Sequence, residues 1–93
     1  MPVELTLLTK PGCHLCDDAR ETVHRVIRQV SDEAQLDGDA AVFAEINILE
    51  DSALRERYVE QIPVLLIDGK VHNYWRIDAD RLAAALRSEL GSD

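Results

Sequence analysis

The chain is 93 residues long and 46% hydrophobic, with 18 acidic residues against 10 Lys and Arg and a formal charge of −8. That length suits one domain, near the lower end of the range in which a single apolar core forms, and the hydrophobic share is too high for a disordered chain. The charge repels a phosphate backbone, no local cluster of Lys and Arg offsets it, and no apolar run approaches the roughly 18–20 residues that span a bilayer, so neither nucleic acid nor membrane is an expected partner.

In chain order, residues 3–9 are rich in β-formers and predict a buried strand, which Lys10-Pro11-Gly12 breaks. From Leu15 onward, Ala19, Val23, Val26, Ile27 and Val30 recur at the spacing of one helical face. Residues 31–40 are polar, include Asp37-Gly38-Asp39, and read as the helix end plus a loop, with room for another helical turn. Residues 41–48 predict a second strand, and Asp51 is placed to cap a helix through Leu54, Arg57 and Tyr58. Ile62-Pro63 then leads into a short apolar strand, Val64-Leu65-Leu66-Ile67. Asp68-Gly69 carries the signature of a type I′ hairpin turn, in which both central residues need positive φ. The returning strand is expected over residues 71–77. A last helix, capped by Asp78 and ended by Gly91, places Leu82, Leu86 and Leu90 on one face.

The order β-α-β-α-β-β-α implies a parallel first strand pair with a right-handed crossover and a closing antiparallel hairpin. A four-stranded mixed sheet with helices on both faces would bury all three helical stripes, an α/β architecture in one domain, 1–93.

The two cysteines of the chain, Cys13 and Cys16, lie three positions apart, a separation that random placement gives about one time in fifty. The N-terminus, Met1-Pro2-Val3-Glu4, has no basic and apolar leader, so a cytoplasmic location is expected. In that compartment such a pair is catalytic or metal-binding more often than a structural staple. Cys13 precedes the helix and faces its unpaired N–H groups and positive dipole end, which favour a thiolate. Cys16 sits one turn in, less exposed. Asp17 and Asp18 suit the helix dipole but place negative charge near the thiols.

The run Thr9-Lys10-Pro11-Gly12-Cys13-His14-Leu15-Cys16, followed by an amphipathic helix, resembles the active-site segment of glutaredoxins and related small redoxins. Ile62-Pro63-Val64 falls where that family has its cis-proline, Asp68-Gly69-Lys70 falls at its hairpin, and the likeness covers nearly the whole chain. The resemblance implies a thioredoxin fold and a dithiol thiol–disulfide oxidoreductase acting as an electron carrier on protein or low-molecular-weight disulfides. In it Cys13 attacks and Cys16 resolves the mixed disulfide. It implies a substrate-facing rim of Lys10, Gly12, His14, Ile62 and Pro63. Lys10 would assist the thiolate and meet a carboxylate of a bound thiol, and a cis Ile62-Pro63 bond would offer the Ile62 backbone to an extended substrate. His14 either assists Cys13 when protonated or fills a variable position of the motif.

Family members that hold glutathione carry Gly-Gly and an acidic pair after the fourth strand. Here His72-Asn73-Tyr74-Trp75-Arg76-Ile77-Asp78 stands instead, with Asp78 at an acidic position and two aromatic residues where the glycines fall. This departure weighs against tight glutathione binding. Trp75-Arg76 is similar to the terminal segment of redoxins that serve ribonucleotide reductase and take electrons from thioredoxin reductase. Alternatively, Tyr74 and Trp75 are alternating strand residues packed against the last helix. The expected donors are glutathione or another small thiol as co-substrate, or a flavoprotein reductase, with no tightly bound cofactor and a monomeric protein. Two cysteines supply half of a tetrahedral sulfur site, so no metal site is expected unless a dimer shares a cluster. A thioredoxin-fold binding module with residual cysteines is the non-enzymatic alternative.

Overall fold

A computed structural model of the chain describes residues 3–35 and 41–90, with the side chain of Leu90 outside the description. Within it, β1 (Val3–Thr9), α1 (His14–Glu33), β2 (Ala41–Asn47), a 3-10 turn (Ile48–Glu50), α2 (Ser52–Tyr58), β3 (Val64–Ile67), β4 (Lys70–Tyr74) and α3 (Ala79–Leu90) follow in the order read from the sequence. The sheet order is β2-β1-β3-β4. β1 pairs in parallel with β2 and antiparallel with β3, and β3 and β4 form the antiparallel hairpin. The Asp37-Gly38-Asp39 loop and the stop at Gly91 lie outside the described residues.

Two apolar clusters flank the sheet. Leu5 and Leu7 of β1 and Leu65 of β3 pack with Val23, Val26 and Val30 of α1 and Leu82 and Leu86 of α3. Full burial of each such side chain stabilises the fold by about 1.5–3 kcal/mol. A bidentate contact from Arg87 to Glu33, both bonds 2.8 Å, ties the ends of the two helices. On the opposite face, Leu8, Ile48, Ile62 and Val64 gather with Cys16, and Leu54 and Tyr58 of α2 cover them in part. The expectation that all three helical stripes are buried is corrected here, because α2 spans 7 residues and buries none of them fully.

The local signals act as expected at three ends. The Asp51 carboxylate accepts the Leu54 N–H at 3.1 Å and caps α2. Asp78 accepts the Arg81 N–H at 3.1 Å and caps α3. Asp68 and Gly69 have φ of 49° and 84°. The Asp68 N–H also donates to the Glu4 carbonyl at 2.8 Å and its carboxylate accepts the Glu4 N–H at 2.9 Å, fastening the hairpin turn to β1.

β4 departs from expectation. It ends at Tyr74, three residues before the predicted end at Ile77, because Trp75 turns into the left-handed region at φ 64°. Its N–H donates to the Pro63 carbonyl at 2.8 Å. Tyr74 and Trp75 are 44% and 52% exposed, which replaces the expectation that they pack against the last helix. Earlier in β4 the register shifts between Leu65 and Leu66, leaving His72 as the extra residue of a bulge.

Candidate functional site: a dithiol at a helix N-terminus

The site begins with the break that ends β1. Gly12 has φ 76°, the left-handed value that a Pro-Gly turn requires at its second central residue. The turn delivers Cys13 in an extended conformation, φ −97° and ψ 111°, as the N-cap of α1. An N-cap side chain ordinarily offers an oxygen to the N–H two or three residues on. Here the Cys13 Sγ takes that place and accepts the Cys16 N–H at 3.1 Å. The two thiols are free, Cys13 half-buried and Cys16 buried at 1% exposure.

Burial pushes the Cys16 thiol up to about 12, with the hydrogen bond to Cys13 and the charge of that neighbour acting in the same direction. A hydrogen bond from the Lys10 backbone and the charge of Arg20 oppose this. The arrangement thus separates an accessible sulfur, held by a backbone donor at the positive end of a helix, from a sheltered sulfur that keeps its proton.

Ile62 and Cys13 pack into the same apolar cluster as Cys16, which brings the residue before Pro63 to the redox pair across 46 residues or more of chain. Pro63 is fully buried and the Ile62–Pro63 peptide bond is cis. The Pro63 carbonyl is already engaged, accepting the Trp75 N–H at 2.8 Å. Lys10 and His14 are exposed at the rim, and neither side chain makes a hydrogen bond or ion pair with a described residue.

A second group of residues was visible in the sequence only in part. Arg20, one helical turn beyond Cys16, donates to Glu45 of β2 through Nε at 2.6 Å and Nη2 at 2.7 Å, and to Asp17 at 2.9 Å. Glu45 also accepts the Thr9 hydroxyl at 3.2 Å, and Arg20 holds its carboxyl below the usual range. The Asp17 carboxylate is therefore a paired charge. Asp17 and Arg20 stand three apart on one helix, a signal the sequence did carry; Glu45 and Thr9 are brought in by β1–β2 pairing. No group of three or more His, Cys, Asp or Glu side chains suited to a metal is present among the described residues. Among those residues no helix is long and apolar enough to cross a membrane.

The family model of the glutaredoxin-like domain (DUF836) matches residues 4–87. The uncharacterized protein Rv0508 of Mycobacterium tuberculosis is 32% identical over 91 residues, covering 96% of this chain and 89% of that protein. The glutaredoxin-like protein YDR286C homolog of Dictyostelium discoideum is 27% identical over 82 residues, 86% of this chain and 71% of that protein. The X-ray structure of protein XcR50 from X. campestris superimposes with a TM-score of 0.67 at 34% identity, covering 90% of this chain and 96% of that one. The chain belongs to the glutaredoxin-like domain family, with a thioredoxin fold and a Cys-x-x-Cys pair that supports a redox role in general.

Proposed function

We propose that this protein is a dithiol thiol–disulfide oxidoreductase that reduces protein or low-molecular-weight disulfides through Cys13 and Cys16. The observation that carries this reading is the asymmetry of the pair, with Cys13 half-buried at the helix N-cap and Cys16 buried and proton-bearing behind it.

In the first step the Cys13 thiolate attacks one sulfur of the substrate disulfide. A Cys13–substrate disulfide forms, the substrate S–S bond breaks, and the other substrate sulfur leaves as a thiolate that takes a proton from water. Once Cys13 is in that bond, its charge and its acceptor role toward Cys16 are gone. Arg20 and the Lys10 amide remain to favour the Cys16 thiolate against the effect of burial. Cys16 then loses its proton and attacks the Cys13 sulfur, closing the Cys13–Cys16 disulfide and releasing the second substrate thiol. Two electrons have passed from the protein to the substrate, and a small thiol such as glutathione or a flavoprotein reductase returns them. No tightly bound cofactor is needed.

An insulin-reduction assay tests this. With dithiothreitol as donor, wild type is expected to reduce insulin faster than dithiothreitol alone and Cys13→Ser to add nothing to that rate, while reduced Cys16→Ser, freed of dithiothreitol before it meets insulin, is expected to stop at a mixed disulfide. Equal rates for wild type and Cys13→Ser would refute the reading.

A further inference from the structure

Beside the redox pair, Leu15, Tyr74, Trp75 and Arg76 enclose an open groove of about 490 Å³. A smaller hollow of about 150 Å³ shares Leu15, Trp75 and Arg76 and continues along α1 past Asp18 to Ile77. Leu15 is one of the two residues between the cysteines, so one wall of the groove is the redox motif itself.

The opposite wall is Trp75, whose conformation needs explaining. A bulky residue rarely holds φ 64°, and residues kept in such sparsely populated regions cluster at functional sites. Core burial does not repay the strain, because the side chain is 52% exposed. Three contacts nevertheless fix it. Its N–H donates to the Pro63 carbonyl at 2.8 Å, its indole Nε1–H donates to the Glu60 carbonyl at 3.0 Å, and the Tyr74 ring meets it edge-on at 5.1 Å. The fold thus holds a half-exposed indole across the groove from Leu15 of the redox motif, an apolar surface that a ligand covers without first ordering it. At the rim Arg76 is exposed and pairs with no carboxylate among the described residues, a local cation on a chain of net charge −8.

Building on the oxidoreductase reading, we propose that this groove selects protein disulfides in which the reactive cysteine is flanked by an apolar, preferably aromatic, side chain and an acidic one. The apolar side chain packs between Leu15 and Trp75, and the carboxylate meets Arg76. Glutathione disulfide, which has carboxylates but no apolar side chain, fills the groove poorly.

The test uses short peptides whose single cysteine is joined to thionitrobenzoate, so that attack of Cys13 on the peptide sulfur expels a coloured thiolate. The peptides differ only at the flanking positions, Phe against Ser and Asp against Asn. For reduced wild-type protein, the Phe peptide is expected to react roughly tenfold faster than the Ser peptide. Trp75→Ala should bring that ratio near one, and Arg76→Gln, an exposed change, should abolish only the Asp-over-Asn preference. Circular dichroism establishes that each variant is folded, and the wild-type ratio needs no variant at all. Equal wild-type rates for Phe and Ser peptides, or a ratio that survives in folded Trp75→Ala, overturn the groove while leaving the exchange chemistry standing. Release of no thionitrobenzoate from any peptide overturns the exchange chemistry and the groove with it.

Discussion

Cys13 and Cys16 are chemically alike and three residues apart, and their difference comes from one helical turn of burial. A thiol pushed up to about 12 from an ordinary 9.0 carries little thiolate at neutral pH. At pH 8 iodoacetamide is therefore expected to place one adduct on the reduced wild type, at Cys13, read by mass spectrometry. Cys13→Ser should be labelled at least tenfold more slowly. The folded state holds the Cys16 proton more tightly than the unfolded chain does, so its contribution to stability is intact below pH 9.0 and is lost as pH rises toward about 12. The pair was legible from spacing alone, and Ile62 and Pro63 were legible through the resemblance. Arg20 with Glu45 was not, because 25 residues separate two side chains, one on α1 and one on β2, that only the folded chain brings together.

At the scale of elements, strands and caps read well where a local signal sets them. β1 and β3 match their predicted limits, since Lys10-Pro11-Gly12 and Asp68-Gly69 end them through backbone chemistry contained in the same few residues. β4 read poorly because its last turn is set from a distance, by the Trp75 bond to Pro63. The residue at its bulge, His72, carries a measurable prediction. His72 Nε2 is buried without a hydrogen-bond partner among the described residues, and burial, helped by the charge of Arg81 and opposed by that of Asp78, holds its pKa below the ordinary 6.5. Below about pH 6.5 the unfolded chain binds more protons at this site than the folded chain. The contribution of His72 is thus complete above that pH and is lost as pH falls through its depressed folded value. Urea unfolding should show stability declining on acidification below about pH 6.5, and His72→Gln should flatten that part of the profile. An unchanged slope would place the titration elsewhere.

Across the whole molecule the two faces of the sheet contribute unequally. α1 and α3 seal one side, with Val23, Leu82 and Leu86 at zero exposure, whereas Val42 and Ile46 of β2 on the other side remain 52% and 37% exposed. Leu86→Ala is therefore expected to cost about 2–5 kcal/mol, a large share of the roughly 5–15 kcal/mol that holds a domain of this kind. Leu54→Ala on half-buried α2 should cost less, with both read from urea midpoints at an unchanged slope. The redox pair lies at the rim of the thinner side, where Cys16 joins Leu8, Ile48, Ile62 and Val64. The most direct measurement of the account is intact-mass analysis of Cys16→Ser after reaction with a peptide disulfide, followed by fragmentation. One peptide bound at Cys13, and none on Cys13→Ser under the same conditions, is the expected result; a peptide bound at Cys16 in Cys13→Ser at a comparable rate would contradict the assignment of nucleophile and resolver.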